Sequence, residues 1–401
     1  MVNTYTQGAT HTREQHPSFR AGRYIHQPVG YRAFYPAPLP PDPPIHITDD
    51  LQVLLSEVNL ELGRLDGSIL TLPNPDLFVY MYVRKEAVLS SQIEGTQSSL
   101  QDLLAAEARM LSPHRHSDVG EVINYIKAMH YGLNRLETLP VSVRMVKEIH
   151  SELMKGVRGS HLTPGELRRS QNWIGPTGCT LEEAVFIPPP PRELPEMLSD
   201  WEKFLHAEDN VPLLLKIGMA HAQFETIHPF LDGNGRVGRL LITFLLCERQ
   251  VLSKPVLYLS YYFKQYRSAY YERLQAVRDT GDWESWLTFF LRGVINVSQQ
   301  ATETARHILM LRENHRNKIT DMLGRGAGTG HRVLEYLFEH PIISVRNVQE
   351  VTGLSYSAAN KVVANLEHMD ILRESTGQVR NRQFTYEAYI ALFNGPSVPQ
   401  L

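Results

Sequence analysis

Cysteine is nearly absent: the 401 residues include two, Cys179 and Cys247. That excludes a disulfide framework and a cysteine-based metal site. Charge of one sign is lacking too. Forty Lys and Arg stand against 43 Asp and Glu, a net charge of −3, which argues against a general nucleic-acid or membrane-surface binder. No apolar run reaches transmembrane length, and the polar start from Met1 to Arg23 carries no signal-peptide core. A cytoplasmic protein without a membrane partner is the expectation. What is present is ordinary for a globular protein: 42% hydrophobic and 21% charged residues, in a chain long enough for two or three domains.

The rest is organised around His228-Pro229-Phe230-Leu231-Asp232-Gly233-Asn234-Gly235-Arg236-Val237-Gly238-Arg239. Apolar helices are expected on both sides, about Val211 to Ile227 and from Asn234 onward. Pro229 disfavours a helical conformation at His228, so the first helix should stop there. Glycines let backbone N–H groups approach a ligand, and a helix N-terminus offers unpaired donors and a positive dipole end. Arg236 and Arg239, three apart, share a face in the first turn, where cations are unfavourable unless an anion sits there. Phosphates fit. Asp232, the loop's one carboxylate, suits a hard cation such as Mg²⁺ or Mn²⁺, and His228 suits a general base. The bland alternative is a helix-loop-helix turn with surface arginines.

The stretch resembles, position by position, the signature HxFx(D/E)GNGRxxR of the Fic family. The resemblance implies an all-α Fic-type core and an enzyme: a protein adenylyltransferase that moves AMP from ATP onto a Tyr, Ser or Thr hydroxyl of a target protein, and of itself. It implies His228 as base, Asp232 as metal ligand, and Gly233, Asn234, Gly235, Arg236, Val237, Gly238 and Arg239 as the nucleotide site. Arg236 would take the β-phosphate and Arg239 the γ-phosphate, with Phe230 packed beneath the loop. Tyr271 is the candidate wall of the adenine pocket. Transfer of another nucleotide, removal of AMP, or a DNA-binding regulator with a nucleotide-sensing core are the alternatives. A homodimer is also an expectation carried by the resemblance.

Upstream, Ser90-Ser91-Gln92-Ile93-Glu94-Gly95 places Ser90 and Glu94 on one helix face. A glutamate in a last helical turn opposes the dipole unless a cation compensates it. The hexad resembles the family's inhibitory motif (S/T)xxxE(G/N), which implies that Glu94 takes Arg239 in a bidentate pair and misplaces ATP.

Along the chain, residues 1–45 read as an irregular arm ending in prolines, and 46–115 as helices that include the inhibitory one. The first helix should open at Thr48 and stop at Gly67. Another runs from about Asp76 to Glu94, and more follow at about 98–108, 119–136 and 142–157. Residues 116–300 are the catalytic core. Within it, Arg169 to Ile187 reads as an irregular hairpin, and the resemblance makes Trp173, Ile174 and Gly175 part of a flap for the target segment. Residues 301–330 read as a helix plus a Gly-rich linker. Residues 331–395 resemble a winged helix: three helices, the first from His331, then strands at 371–374 and 383–386. With six Lys and Arg against seven Asp and Glu there, a role in holding protein targets is at least as well supported as DNA contact.

Overall fold

The computed structural model describes residues 20–393 apart from 71, 73, 109–116 and 177. The first 19 residues of the expected arm lie outside these. The described part of the arm is only partly irregular: 37–45 hold no helix or strand, but β1 (Gly22–His26) and β2 (Arg32–Pro36) form an antiparallel hairpin, from Gly22 opposite Pro36 to His26 opposite Arg32. Five-residue strands leave little periodicity to read, and two strands alone are marginal. Support comes from afar: Phe34 packs 5.9 Å from Phe186 and its N–H donates to the Ile187 carbonyl at 2.9 Å. Arg20 pairs with Glu284 at 2.7 Å.

Helix α1 (Asp49–Leu70) is capped by Thr48 and runs straight through Gly67. A glycine ends a helix only where the chain turns left-handed; here Leu65 and Ile69 continue the buried face across it. Helix α2 (Pro75–Ile93) begins at an Asn74 cap and ends at Glu94, with Gly95 at φ +98°. Then come α3 (Leu100–Glu107), α4 (Ser117–Arg135) and α5 (Val143–Leu153), as the periodicity predicts. A 3₁₀ turn leads into α6 (Leu194–His206). Helices α7 (Leu213–Ile227) and α8 (Asn234–Glu248) are buried on nearly every face and occupy the centre. Around them lie α9 (Ser260–Gln265), α10 (Arg267–Thr280) and α11 (Trp283–Leu323).

Helix α11 has 41 residues, about 60 Å of helix, so core and C-terminal module share one rod. The expected Gly-rich linker is not a loop. Gly324–Gly326 form a 3₁₀ turn, and α12 (Ala327–Glu339) starts before His331. Close packing explains Gly330, where a Cβ would sit 2.6 Å from Ile319. The module continues with β3 (Ile342–Ser344), α13 (Val345–Thr352), α14 (Tyr356–His368), β4 (Arg373–Glu374), β5 (Gln383–Thr385) and α15 (Glu387–Ala391). Its antiparallel sheet has the order β3-β5-β4, one strand more than expected. Apolar contacts join this module to the core without a break; Phe393 packs 5.5 Å from Tyr82 on α2. A cleft of about 940 Å³ separates Tyr80 and Glu107 from Arg346, Arg380 and Arg382, away from the histidine loop.

Candidate active site

The loop between α7 and α8 is held from behind. His228 closes α7 in the left-handed conformation, φ 49° and ψ 61°, uncommon for a non-glycine residue and consistent with the bar that Pro229 sets on a right-handed turn. Arg168, 2% exposed, donates from Nε to the His228 carbonyl (2.8 Å) and from Nη2 to the Pro189 and Ile227 carbonyls (2.6 and 3.3 Å). Burial lowers its pKa to about 10, so it stays charged at neutral pH. Asn234 clamps Phe230 twice, accepting from its N–H and donating to its carbonyl, both at 2.8 Å. Asn172, beside the flap, donates to the same carbonyl at 2.8 Å. Phe230 is fully buried beneath the loop and stacks on His150 at 3.8 Å. His150 accepts the Gly165 N–H at Nδ1 (2.8 Å), so Nε2 carries the proton and donates to the Asp232 carbonyl (3.0 Å). Burial pushes its pKa down to about 4. Gly233 opens α8 at φ +79°, and a Cβ there would meet the Met154 sulfur at 3.0 Å.

The same geometry sets the chemistry of His228. Its Nδ1 lies 3.3 Å from the Glu225 carbonyl, which only accepts. Nδ1 therefore bears the hydrogen and Nε2 keeps its lone pair. Burial first, then the Arg168 and Arg278 charges, bring its pKa down to about 3. At neutral pH this half-buried imidazole is uncharged and can take a proton.

The two arginines of the motif have different surroundings. Arg239, 3% exposed, donates to Ser90 Oγ (2.9 Å), the Ser90 carbonyl (3.0 Å) and Glu94 Oε1 (2.7 Å). The pair is not bidentate as expected, because Ser90 occupies part of the guanidinium fork. Glu94 Oε1 also lies 2.2 Å from where a Cβ on Gly235 would stand, so the carboxylate covers the first turn of α8. Burial raises the Glu94 carboxyl, but the Arg239 charge and hydrogen bond outweigh it and hold the group below its ordinary value. Arg236, 1% exposed, pairs with Glu121 at 3.0 Å and with Asp232 at 3.5 Å. Two carboxylates thus meet the charge of Arg236, as Glu94 meets that of Arg239.

Two expected nucleotide contacts are spent on packing. Val237 is fully buried and its N–H bonds to the Gly233 carbonyl at 3.0 Å. The Gly238 carbonyl meets His221 Nδ1 at 3.0 Å, and a Cβ there would fall 2.5 Å from Glu225 Oε1, so this glycine serves the close approach of α7 and α8. That leaves the α8 N-terminus, where a helix start cannot satisfy the Asn234 and Gly235 N–H groups internally, while that of Gly233 goes to Asp232. Asp232 is 37% exposed at its side chain, with Oδ1 on the Gly233 N–H (2.6 Å) and Oδ2 beside Gly159. One accessible carboxylate next to an anion cradle fits a Mg²⁺ that draws its other ligands from phosphates and water. No cluster of three or more His, Cys, Asp or Glu suited to a metal occurs among the described residues.

Tyr271 on α10 is 41% exposed against Tyr270, with centroids 5.1 Å apart, and its phenol is raised by burial and by the nearby Glu94. At the flap the hairpin shrinks to a single bridge between Ile174 and Phe186. Trp173, 41% exposed, donates to the Cys179 carbonyl at 3.0 Å, and Gly175 passes close to Cys179 Sγ. Sequence reasoning missed Arg168, Asn172, His150 and Glu121. No local pattern marks them, since each acts on a segment 56 or more residues away.

An uncharged imidazole closing α7, a glycine-rich start to α8 and an arginine held by Glu94 mark a mostly helical protein whose candidate site lies at the junction of its two central helices. Residues 53–134 match the Fic/DOC family N-terminal model and 140–246 the Fic/DOC family model, so the chain carries both of these domains. It is 27% identical over 258 residues to protein adenylyltransferase Fic of Drosophila virilis, covering 59% of this chain and 48% of that one. The Culex quinquefasciatus protein of the same name is 31% identical over 200 residues, 48% of this chain and 35% of its own. The chain thus spans half or less of the length of these relatives. A Fic family protein from Desulfovibrio desulfuricans G20 shares the fold at TM-score 0.56 and 19% identity, over 86% of this chain and 97% of that one. A Fic domain containing signaling protein from Bacteroides thetaiotaomicron does so at TM-score 0.50 and 15% identity, over 63% of this chain and 97% of its own.

Proposed function

We propose that this protein transfers AMP from ATP to a hydroxyl side chain of a target protein, and that Glu94 holds it in a restrained state. The carrying observation is His228 Nδ1 facing the Glu225 carbonyl at 3.3 Å, which leaves the Nε2 lone pair to take a proton. The target hydroxyl oxygen forms a bond to the α-phosphorus while the bond to the β-phosphate bridging oxygen breaks. His228 Nε2 receives the hydroxyl proton, and pyrophosphate leaves. Positioning and charge neutralisation supply most of such an acceleration. The N–H groups of Asn234 and Gly235 donate to phosphate oxygens, joined by that of Gly233 once Asp232 Oδ1 leaves it, and Arg239, once released from Glu94, meets the γ-phosphate. Asp232 would hold Mg²⁺ or Mn²⁺, which when bound offsets phosphate charge. Tyr271 borders the adenine, and Trp173, Ile174 and Gly175 steady the target segment.

The order α12-β3-α13-α14-β4-β5 supports a winged-helix reading of the C-terminal module. We assign it to holding protein targets, since Lys361 is the one Lys or Arg on α14 and phosphate binding wants several.

The test is incubation of the purified chain with ATP labelled at the α-phosphate, native and with Glu94→Gly. Label on protein together with released pyrophosphate supports the reading. Preference for another nucleotide redirects it, and no transfer from any nucleotide in either form overturns it.

A further inference from the structure

Glu86, Ser90 and Glu94 follow one another at intervals of four along α2 and its cap, so they line one face. Ser90 and Glu94 hold Arg239. Glu86 is 2% exposed, and a carboxylate that deep is costly unless its hydrogen bonds serve something. Its Oε1 accepts from Ser260 Oγ at 2.5 Å and from the Tyr125 hydroxyl at 3.1 Å, while Oε2 has no partner. Tyr125, on α4, is fully buried.

Donor and acceptor capacities fix the direction of each contact. Arg239 can only donate, so Nε–H uses a lone pair of Ser90 Oγ. The Tyr125 and Ser260 hydroxyl protons both go to Glu86 Oε1, which ties α2 to α4 and α9 one turn before Ser90. Burial lifts the Glu86 carboxyl to about 7, while Ser260, Arg239 and Tyr125 each pull it down.

We propose that Glu86 is a positioning residue of the inhibitory contact: by tying α2 to Tyr125 on α4 and to Ser260 on α9, it seats the end of α2, with Ser90 and Glu94, against Arg239 on α8. The proposal rests on the reading that the Glu94–Arg239 contact restrains AMP transfer. Tyr125→Phe removes a hydroxyl and little volume, so the fold survives while the tie between α2 and α4 is cut. It should raise AMP transfer by roughly threefold to tenfold, the worth of one hydrogen bond. Ser260→Ala should act in the same direction. Glu86→Ala should raise transfer, and Glu86→Gln, which keeps an acceptor oxygen, should give back most of the inhibition. With Glu94→Gly in place, Tyr125→Phe should add nothing. Amide hydrogen exchange across residues 86–94 should quicken in Tyr125→Phe.

A merely structural tyrosine would lower transfer in both backgrounds. That result, or transfer unchanged by Tyr125→Phe in the native background, overturns the proposal. Should Glu94→Gly itself transfer nothing, the functional reading fails, and exchange alone decides here: quicker exchange upholds the anchoring of α2, and unchanged exchange refutes it.

Discussion

Replacing Glu94 by glycine should release Arg239 and raise AMP transfer. The contact at stake is one charge-assisted hydrogen bond of 2.7 Å between Glu94 Oε1 and Arg239 Nη2. Hydrogen bonds to charged groups contribute about 1.5–3 kcal/mol. The Glu94 side chain is 32% exposed, and both Ser90 acceptors stay on the guanidinium when Glu94 goes. Water screening and the surviving bonds place the effect at the lower end, about 1.5–2 kcal/mol, or roughly 10- to 30-fold in rate. Moving the carboxylate off Gly235 should also tighten ATP binding, since an anion no longer covers the helix start. The assay is the initial rate of label transfer from α-labelled ATP, with ATP affinity measured separately. A double-mutant cycle gives the decisive comparison: in an Arg239→Ala background, Glu94→Gly should change the rate by less than about twofold. If the two substitutions act additively, Glu94 works by some route other than Arg239, and the inhibitory reading is refuted.

His228→Ala should abolish transfer and leave folding and ATP affinity close to native, because the backbone there is held by Arg168; near-native labelling by the variant would remove His228 from its role. Asp232→Asn should cut transfer severely, since an amide cannot offset a cation's charge, and full turnover in excess chelator would contradict the metal assignment. With its pKa near 3, His228 stays a base far into acid. The rate of Glu94→Gly should therefore show no acid limb at the ordinary histidine value of about 6.5, and a limb found there would refute a buried neutral base. Stability should behave differently. His150, His221 and His228 fall to about 4, 3 and 3, so below about pH 6.5 the unfolded chain binds more protons than the folded one. Their contribution is complete above that pH and shrinks as pH falls toward those values, so thermal melts should show Tm dropping between about pH 6.5 and 4.

Much of the site is local and therefore legible. Pro229 forbids a helical His228, Gly233 permits the left-handed entry to α8, and the spacing of Ser90, Glu94 and Gly95 marks a helix end. Each follows from backbone sterics within a few residues. The same holds for most of the helices, whose apolar period needs no knowledge of the partner. The N-terminal hairpin and the α11–α12 junction were misread for the opposite reason: five-residue strands and a run of glycines have weak preferences of their own, and distant packing partners overrule them.

Between the two arginines of the motif the sequence is silent. Arg236 and Arg239 are the same residue type, one turn apart, and equally suited to phosphate. Only the packing of α4 and α2 against α8 puts Glu121 on one and Glu94 with Ser90 on the other. Likewise Gly235 lies under an anion site and Gly238 at a helix crossing, though both are glycines. Composition and spacing therefore point to an anion site with a base and mark where its loop begins and ends. Which carboxylate each arginine meets is decided by side chains 115 and 145 residues apart in the chain, because charge pairing depends on distance through space, and local propensity does not encode which helices meet.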